Sequence, residues 1–505
     1  MSATEMSALG RAIENPQPVA GIESRSPVDG LDRRSVGFID VLSQSVSAVA
    51  PSAAATTMPL LVATVAGGAT VWALGAAMLL ALLVAGTVNQ FTRRIAATGS
   101  LYTFVAHGLG TTASFVTGTA LLVGYGFVAM FALGGAGYYL AILAARLWPA
   151  LTGSLLVPVL LILAMAVACM VLLARGIRVS TRATLLVECV SVVIILALVV
   201  ALLVVQGSAL DWSVLDMSEV RPSDFAVGAA LALTAFVGFE SSATLGVEAR
   251  RPYATIPRAV TWTVIGSGGL YLLAALSQLV GFASVGGSIT ASASPVNDLA
   301  AAYGIDALGL LLDVSIAASF LACAIASITA LVRVLFSMGR EGVLPSAFGQ
   351  SHRRHRTPFI AIVVTVPVLT TGLIGTILLT GSVWRAMEIF IVGAAGGYIA
   401  AYILVCVAAP VFLWRIGELT PWPVLRAGAA AVLLSAVLVV YLVVEIGSAR
   451  FAGVWVFLAV MLVGTLFAVV RRIRRPWLRD TVGVYDVPVS TDILGAALAD
   501  NRAAP

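Results

Sequence analysis

The chain has 505 residues, of which 60% are hydrophobic and only 10% are charged, with a net charge of +5. Soluble chains carry about 25% charged and 45–50% apolar residues. The composition therefore excludes a soluble globular domain, a disordered chain, a collagen and a disulfide scaffold as the main state. Most side chains on the surface must meet lipid, and the 47 glycines agree with this because glycine is common in membrane helices.

Residues 1–35 are polar and predict a flexible cytosolic tail, with no apolar segment of the kind found in a signal peptide. From Val41 onward, apolar runs recur close to the ~20 residues that cross about 30 Å of hydrocarbon. A membrane barrel is excluded because the runs are apolar on all faces instead of alternating. They predict an all-α polytopic membrane protein of about twelve helices: 41–65, 71–89, 113–143, 155–174, 184–205, 226–247, 260–282, 308–336, 359–379, 389–413, 424–444 and 454–470. The third run must either tilt or be two short helices.

Every basic residue is an arginine, and the arginines occupy alternate loops. With the N-terminus inside, the outer loops hold only Arg146, Arg221, Arg385 and Arg450. This asymmetry follows the positive-inside rule and requires an even number of helices. It predicts a protein of the cytoplasmic membrane with both termini cytosolic. Arginines spread along one membrane face argue against nucleic acid and favour lipid headgroups as a partner, while the oligomeric state is left open.

Sequence patterns of enzymes and metal sites are missing from the inner loops. There is no Walker, Rossmann or HExxH pattern, and the histidines (His107, His352 and His355) fall in loops. The four cysteines lie in apolar runs without a CxxC pattern, which indicates small buried side chains; they are Cys169, Cys189, Cys323 and Cys406. We therefore expect no cofactor, no metal and no enzymatic activity, and a transporter is favoured.

The first predicted helix contains an interruption, because Pro51 lacks a backbone donor and clashes with the preceding turn. The residues that follow are small or hydroxylated, up to Pro59. A break here would leave N–H groups free at the start of a half-helix, where they could bind a carboxylate. The alternative is a kinked helix with small residues at a packing seam.

The sixth predicted helix contains Glu240 in the middle of an apolar run, beside Gly238 and a serine pair. A carboxylate at this depth is costly and marks a functional site by default. Glu240 could cap a broken helix and take part in gating, or it could carry a proton. Both alternatives stay open from the sequence.

Breaks in the first and sixth helices indicate an inverted repeat with the binding site at the repeat interface. The predicted units are a first five-helix repeat over 36–206 and a second over 207–415. Helices 11 and 12, over 416–475, are accessory, and 476–505 form a cytosolic tail.

Several motifs are shared with a known family. They are residues 236–240 (FVGFE) with Glu248 and 256–259 (IPRA), residues 333–345 (RVLFSMGREGVLP), 98–102 (TGSLY) and 176–182 (GIRVSTR). In these motifs the chain resembles the amino acid–polyamine–organocation (APC) permeases, from about Gly37 to Arg415. The resemblance implies a LeuT-type 5+5 inverted repeat with discontinuous helices 1 and 6, and alternating access.

The resemblance also implies where a substrate binds. Its α-carboxylate would meet helix 1 N–H groups, and its amine would meet helix 6 carbonyls. Carried over residue by residue, the helix 1 positions are Ala50, Ser52, Ala53, Ala54 and Ala55. The helix 6 positions are Ala235, Phe236 and Val237, with Phe239 closing the pocket. Ser52 and Ala54 stand where the family has glycines, which implies a narrower site or a substrate that is not an α-amino acid. Asn89-Gln90-Phe91 stands where the family commonly has alanine, glutamate and leucine, so one usual acidic residue is absent.

Coupling is expected to involve Glu240, Glu188 and the hinge at Gly238. Relatives often carry a lysine in helix 5, and Ser191 falls about there, one turn after Glu188. Ser315 and Ser319 could add oxygen ligands for sodium, but they are also ordinary helix–helix contacts. We therefore expect proton coupling or exchange, with Glu188 either titrating or only hydrogen-bonding.

The sequence predicts a secondary active transporter of an amino acid. One alternative is an amine or polyamine transporter of the same fold, which Asp313 and Glu388 near the outer ends of their helices leave open. A lesser alternative is a membrane sensor that binds its ligand without moving it. The predicted pocket favours a substrate with a neutral side chain.

Overall fold

A computed structural model describes residues 26–207, 212–218, 220–292, 295–304, 306–352, 354–447 and 451–487. Within these ranges the chain forms sixteen α-helices and no β-strand, which confirms the all-α prediction. The helices are α1 Phe38–Val49, α2 Pro51–Ala66, α3 Thr70–Thr92, α4 Leu101–Leu109, α5 Thr111–Leu147, α6 Leu156–Ala174, α7 Ile177–Gln206, α8 Pro222–Thr234, α9 Pro252–Ser284, α10 Pro295–Ala302, α11 Asp306–Arg340, α12 Phe359–Thr380, α13 Val383–Arg415, α14 Pro421–Ile446, α15 Phe451–Arg474 and α16 Leu478–Thr481.

The first predicted helix is broken into α1 and α2 at Ala50. Pro51 disfavours the right-handed helical conformation of the residue before it, and Ala50 is left-handed with φ 51° and ψ 62°. The proline then occupies the first turn of α2, where its missing N–H costs nothing. The prediction of a discontinuous first helix is confirmed, and a single kinked helix is excluded.

The sixth predicted helix is also broken, between the end of α8 and a 3-10 helix at Ser241–Leu245. Gly238 lies in this break with φ 100°, a conformation that residues with a side chain rarely adopt. A β-carbon at Gly238 would lie 3.0 Å from the β-carbon of Ala48. The glycine therefore provides the backbone turn and also lets the two broken helices approach each other.

In the described ranges, ten segments are long and apolar enough to cross a membrane. The first, Phe38–Thr92, contains α1, α2 and α3 and so joins two predicted helices. The broken helix α8 has only 13 residues, fewer than a straight crossing needs. The number twelve therefore stays a prediction. The third predicted run is one helix of 37 residues, α5, and it must tilt in a bilayer of ordinary thickness.

The middle of the bundle is formed by α5, which packs along both α11 and α13. Between 72% and 83% of their most apolar stretches is buried inside the protein, against 22% for α14 and α15. The last two helices therefore leave most of their apolar side chains to lipid. Among the cysteines, Cys169, Cys323 and Cys406 are buried as expected, but Cys189 is exposed on α7.

Contacts between loops divide the bundle into two ends. Arg94 pairs with Glu418, and Arg415 donates to the carbonyl of His107, so loops that the sequence assigned to the inner side meet at one end. We call it the arginine-rich end. At the far end of α5, which we call the arginine-poor end, Arg146 lies 2.9 Å from Asp313.

Parts of both predicted tails, the flexible tail over 1–35 and the cytosolic tail over 476–505, are packed at the arginine-rich end. Residues 26–36 bury Val28 and Leu31 against Val247 and Phe336, and residues 477–487 lie alongside them, with Asp486 buried. The prediction of flexibility does not hold for residues 26–35, because Val28 and Leu31 pack against apolar side chains of the bundle. Residues 1–25 and 488–505 lie outside the described residues.

Candidate functional site

The two helix breaks border a small cavity in the middle of the bundle, with a volume of about 40 Å³. A water needs about 10–15 Å³ of such space, so in this conformation the cavity has room for a few waters. No described residue of its lining is charged. Thr57, Phe131 and Thr234 in its wall are half-buried, whereas Ala48 and Cys323 are buried. The cavity is therefore closed toward the arginine-rich end, from which α1 enters.

The start of α2 gives the cavity its positive side, since the first N–H groups of a helix have no partner within the helix. The N–H of Ala53 points to the hydroxyl of Ser319 on α11, at 3.5 Å. That hydroxyl donates to the carboxylate of Glu188 on α7, at 2.9 Å. A serine thus connects the predicted carboxylate cradle with one of the two carboxylates predicted to act in coupling.

The broken helix 6 gives the cavity its carbonyl side. The carbonyl of Ala235 accepts a hydrogen bond from the hydroxyl of Tyr271, at 3.0 Å. A carbonyl oxygen has two lone pairs, so this bond leaves room for a second donor. The ring of Phe236 packs edge-on against the same tyrosine, outside the cavity.

Glu240 is completely buried just beyond the helix 6 break. Its carboxylate accepts hydrogen bonds from Tyr125 at 2.8 Å and from Tyr402 at 2.5 Å. The hydroxyl of Tyr402 also accepts the N–H of Gly238, at 3.4 Å. The glutamate therefore ties the helix 6 break to α5 and α13, and in the described part of the chain it has no ion-pair partner.

The structure brings five of the nine predicted binding residues to the cavity, namely Ala50, Ala53, Ala54, Ala235 and Val237. The other four lie nearby but do not line it. Ser52 is buried, and the carbonyl of Ala55 accepts from Gln278. Phe239 packs against Tyr402, and its carbonyl accepts from Ser45, so it does not close the pocket in this conformation.

Sequence reasoning missed the apolar wall of the cavity. It consists of side chains from four helices, including Met58, Val128, Phe131, Phe320 and Ile391. The rings of Phe131 and Phe320 meet edge to face, with centroids 5.4 Å apart. Nothing in a continuous apolar run marks which residue faces the cavity, so no sequence signal separated these side chains from lipid-facing ones.

A buried ion pair lies on the arginine-rich side of the cavity, beyond Cys323 on α11. The guanidinium of Arg333 donates to both oxygens of Glu248, at 2.8 and 2.9 Å. The two residues belong to two of the motifs that carried the family resemblance. A serine of α1 is bonded to the same loop, because Ser45 accepts the N–H of Ser242.

The remaining predicted polar residues have structural partners away from the cavity. Asn89 donates to the carbonyl of Pro257 and to Thr261. Ser191 and Ser315 exchange hydrogen bonds with each other's carbonyls. Glu388 accepts from the indole of Trp384 and Asp313 accepts from Asn297. These contacts join helices to one another or brace a single helix, and they supply no charge to the cavity.

Comparison with known proteins places this geometry in a family. Residues 36–469 match the family model described as amino acid permease. The branched-chain amino acid permease BcaP of Bacillus subtilis is 25% identical over 56% of this chain and 63% of that protein. The serine/threonine exchanger SteT of the same organism is 28% identical over 58% of this chain and 64% of its own. The matches thus span less than two thirds of these relatives' lengths.

Among solved structures, a manganese transporter of Eremococcus coleocola is similar with a TM-score of 0.56 at 11% identity. The similarity covers 90% of this chain and 99% of the other. At this identity it speaks for the fold alone, and it confirms the predicted LeuT-type architecture.

Proposed function

The chain belongs to the amino acid permease family, and we propose that it is a secondary active transporter that moves an amino acid across the membrane by alternating access. One observation carries the proposal. An uncharged cavity lies where two broken helices meet, with helix N–H groups on one side and the carbonyls of the helix 6 break on the other. This pairing suits a zwitterion, because helix N-termini attract carboxylates and carbonyls accept from ammonium groups.

The substrate carboxylate would bind at the start of α2, at Ser52, Ala53 and Ala54. The ammonium group would bind at the carbonyls of residues 235–237, where it would share the oxygen of Ala235 with Tyr271. A cavity of about 40 Å³ is smaller than an amino acid, so binding would require the helices around it to move apart.

The side chain of the substrate would be neutral and apolar. Val128, Phe131, Phe320 and Ile391 surround the space next to the helix breaks, and a charged group there would lose its hydration without a partner. A polyamine would need acidic groups, and Asp313 is already bonded to Arg146. The amine alternative therefore has no observation in its favour. The same is true of the sensor alternative.

Transport would be driven by protons or by exchange. Glu188 is the proposed proton carrier because its hydrogen bond to Ser319 connects it to the α2 N-terminus. Protonation or deprotonation of Glu188 would thus change the hydrogen bonding at the carboxylate cradle. Glu240 would act in gating, since its two tyrosine partners join the helix 6 break to two other helices.

We also propose that the protein lies in the plasma membrane with the arginine-rich end in the cytosol. The alternation of arginines supports this orientation. Both described terminal segments lie at that end, so both termini would be cytosolic and the exposed arginines would meet anionic headgroups.

The substrate is tested by a thermal-shift screen of the purified protein against amino acids and amines. A ligand that binds only the folded state raises the melting temperature. We expect shifts with aliphatic amino acids and none with diamines. Shifts with diamines alone would overturn the proposed substrate class.

The site is tested by Ala54→Trp, which would fill the cavity. We expect the ligand-induced shift to disappear. Ala429→Trp on an exposed face of α14 makes the same change away from the site and should leave the shift intact. Unchanged ligand binding in Ala54→Trp would refute the α2 cradle.

Coupling is tested with Glu188→Gln in liposomes. If Glu188 carries the proton, uptake driven by a pH gradient is lost, while exchange of external for internal substrate is kept. Full gradient-driven uptake by the variant would exclude Glu188 as the carrier.

A further inference from the structure

At the arginine-rich end, residues 26–36 and 477–487 lie against each other and against the bundle; we call them the N-segment and the C-segment. They are anchored by two buried carboxylates, Glu341 and Asp486, each 1% exposed. The proposed transport cycle uses neither of these carboxylates. Both are bonded to residues far away in the sequence, which indicates a role in tertiary structure at this end.

Glu341 follows α11 directly and receives the C-segment. One carboxylate oxygen accepts the backbone N–H groups of Gly483 and Val484, both at 2.9 Å. The other accepts the hydroxyl of Tyr102 on α4. One carboxylate thus joins the C-segment to the ends of two helices.

Asp486 joins the C-segment to the N-segment. Its carboxylate accepts from Ser26 at 2.8 Å and pairs with Arg33 at 2.9 Å and Arg34 at 3.0 Å. Its backbone N–H donates to the carbonyl of Ala96, at 2.7 Å. Hydrogen bonds to a charged group are the stronger ones, so the contact is specific.

The N-segment is hydrogen-bonded to the loop that contains Glu248, one member of the buried ion pair. The N–H of Arg34 donates to the carbonyl of Val247, and the N–H of Val36 to the carbonyl of Glu248. Glu248 is the partner of Arg333. A continuous series of contacts therefore runs from Glu341 through both segments to the ion pair below the cavity.

We propose that the two terminal segments form a clamp that holds the arginine-rich end closed, with Glu341 and Asp486 as its anchors. For this end to open, the C-segment must leave Glu341, and the loop at Glu248 must separate from the N-segment. The proposal goes beyond substrate binding, and its test needs no transported substrate.

The clamp has a dependence on pH. Tyr102 is in direct contact with Glu341. The segments packed around it carry further charged and titratable groups, namely His107 from α4, Tyr485 and Asp486 from the C-segment, Arg340 from α11, Arg471 from α15, and Arg33 and Arg34 from the N-segment. Burial raises the pKa of the Glu341 carboxyl to about 7. In an open clamp, water would return that pKa toward its lower ordinary value.

The closed clamp therefore holds the proton of Glu341 more tightly, so its stabilising effect is complete at acid pH and is lost as the pH rises through about 7. His107 acts in the opposite direction, because burial lowers the pKa of its imidazole and the closed clamp favours the neutral ring. Its contribution is lost as the pH falls through that lowered pKa.

The experiment uses a cysteine reporter below the clamp. Ser242 is buried and its hydroxyl has no partner in the described residues, so Ser242→Cys is a mild change. It is made in the full chain with the exposed thiol removed as Cys189→Ala. The chain with both changes is the parent of all clamp variants. The rate of modification by a small charged thiol reagent is measured in detergent, and the Cys189→Ala chain without Ser242→Cys gives the background.

Gly483→Ala is the main variant, because Gly483 has φ 98° and a β-carbon there would lie 3.0 Å from the β-carbon of Ala106. Gly153→Ala is the matched control, since Gly153 also has positive φ but has no atom near its β-carbon position. We expect Gly483→Ala, Asp486→Asn and Glu341→Ala to speed modification about tenfold, the effect of losing a hydrogen bond to a charged group. Gly153→Ala should match the parent rate.

Parent rates in Gly483→Ala and Asp486→Asn would overturn the clamp, even if Glu341→Ala reacts faster, because Glu341 would then act only on the end of α11. If Glu341→Ala does not fold, the other two variants decide the question in the same way.

The pH dependence is measured as the ratio of the rate in the parent to that in Glu341→Gln at each pH, which cancels the ionisation of the thiol. We expect the ratio to rise as the pH increases toward about 7, by at most about tenfold per pH unit for one linked proton, and to level off above that pH. A flat ratio from pH 6 to 8 would refute Glu341 as the titrating anchor.

Discussion

The charges at the two ends of the bundle are solvated very differently. At the arginine-rich end, the side chains of Glu248 and Arg333 are 1% and 4% exposed. At the arginine-poor end, Asp313 is buried but its partner Arg146 is 41% exposed. One end is thus held by charges that have lost their water, and the other by a pair that is still partly hydrated.

This difference explains why the cavity is closed toward the arginine-rich end. Breaking a buried ion pair leaves a charge without water or partner, whereas a hydrated arginine loses little when its partner moves away. Opening the arginine-rich end therefore requires water to reach Glu248 and Arg333 as they separate. We expect the conformation described here to be the stable one without substrate.

The largest effect is expected from Glu248→Ala, which leaves the guanidinium of Arg333 buried and unpaired. Such a change costs about 3–5 kcal/mol, so the melting temperature of the purified protein should fall steeply. Glu418→Ala removes a carboxylate that is 55% exposed from its pair with Arg94 and should change the melting temperature little. Equal losses in the two variants would contradict the comparison of buried and solvated pairs.

A smaller loss is expected from Gly238→Ala, since the backbone at φ 100° disfavours a side chain and the new β-carbon would press on Ala48. We expect about 2 kcal/mol in thermal unfolding. In Gly381→Ala the backbone also has positive φ but no atom lies near the β-carbon position, so the loss should be about half as large. The same loss in both variants would show that the approach of the two breaks does not contribute.

Asp313→Asn should cost about 1 kcal/mol, because the asparagine still accepts from Asn297 and the half-exposed Arg146 regains water. The free energy of unfolding in denaturant measures the loss. A cost as large as that of Glu248→Ala would mean that the arginine-poor end is held as firmly as the other, and the comparison would fail.

The smallest effect is expected from Asp224→Asn at the arginine-poor end. Its partner Arg221 is 79% exposed, and such surface pairs contribute little. The free energy of unfolding should differ from that of the parent by no more than about 0.5 kcal/mol, so the melting temperature should change little. A larger loss would indicate that this loop also closes the bundle.

Much of the fold was accessible from sequence because its causes are local. Pro51 and Gly238 act on their own backbone, and the structure has a break at both places. The site was only partly accessible, since five of nine predicted residues line the cavity. Phe236 and Phe239 turn away from it, because their rings pack on Tyr271 and Tyr402, residues whose proximity no local pattern reveals.

The sequence by itself determined that this is a membrane protein with two interrupted helices, because hydropathy and backbone preference depend on residues within a single run. Only the tertiary structure decided which side chains meet. Tyr125 and Tyr402 reach Glu240 from more than a hundred residues away in either direction, and the C-segment joins Glu341 to the N-segment. In a chain that is apolar on nearly all faces, the side that each helix turns inward is set by packing against its neighbours, and its own sequence does not record that choice.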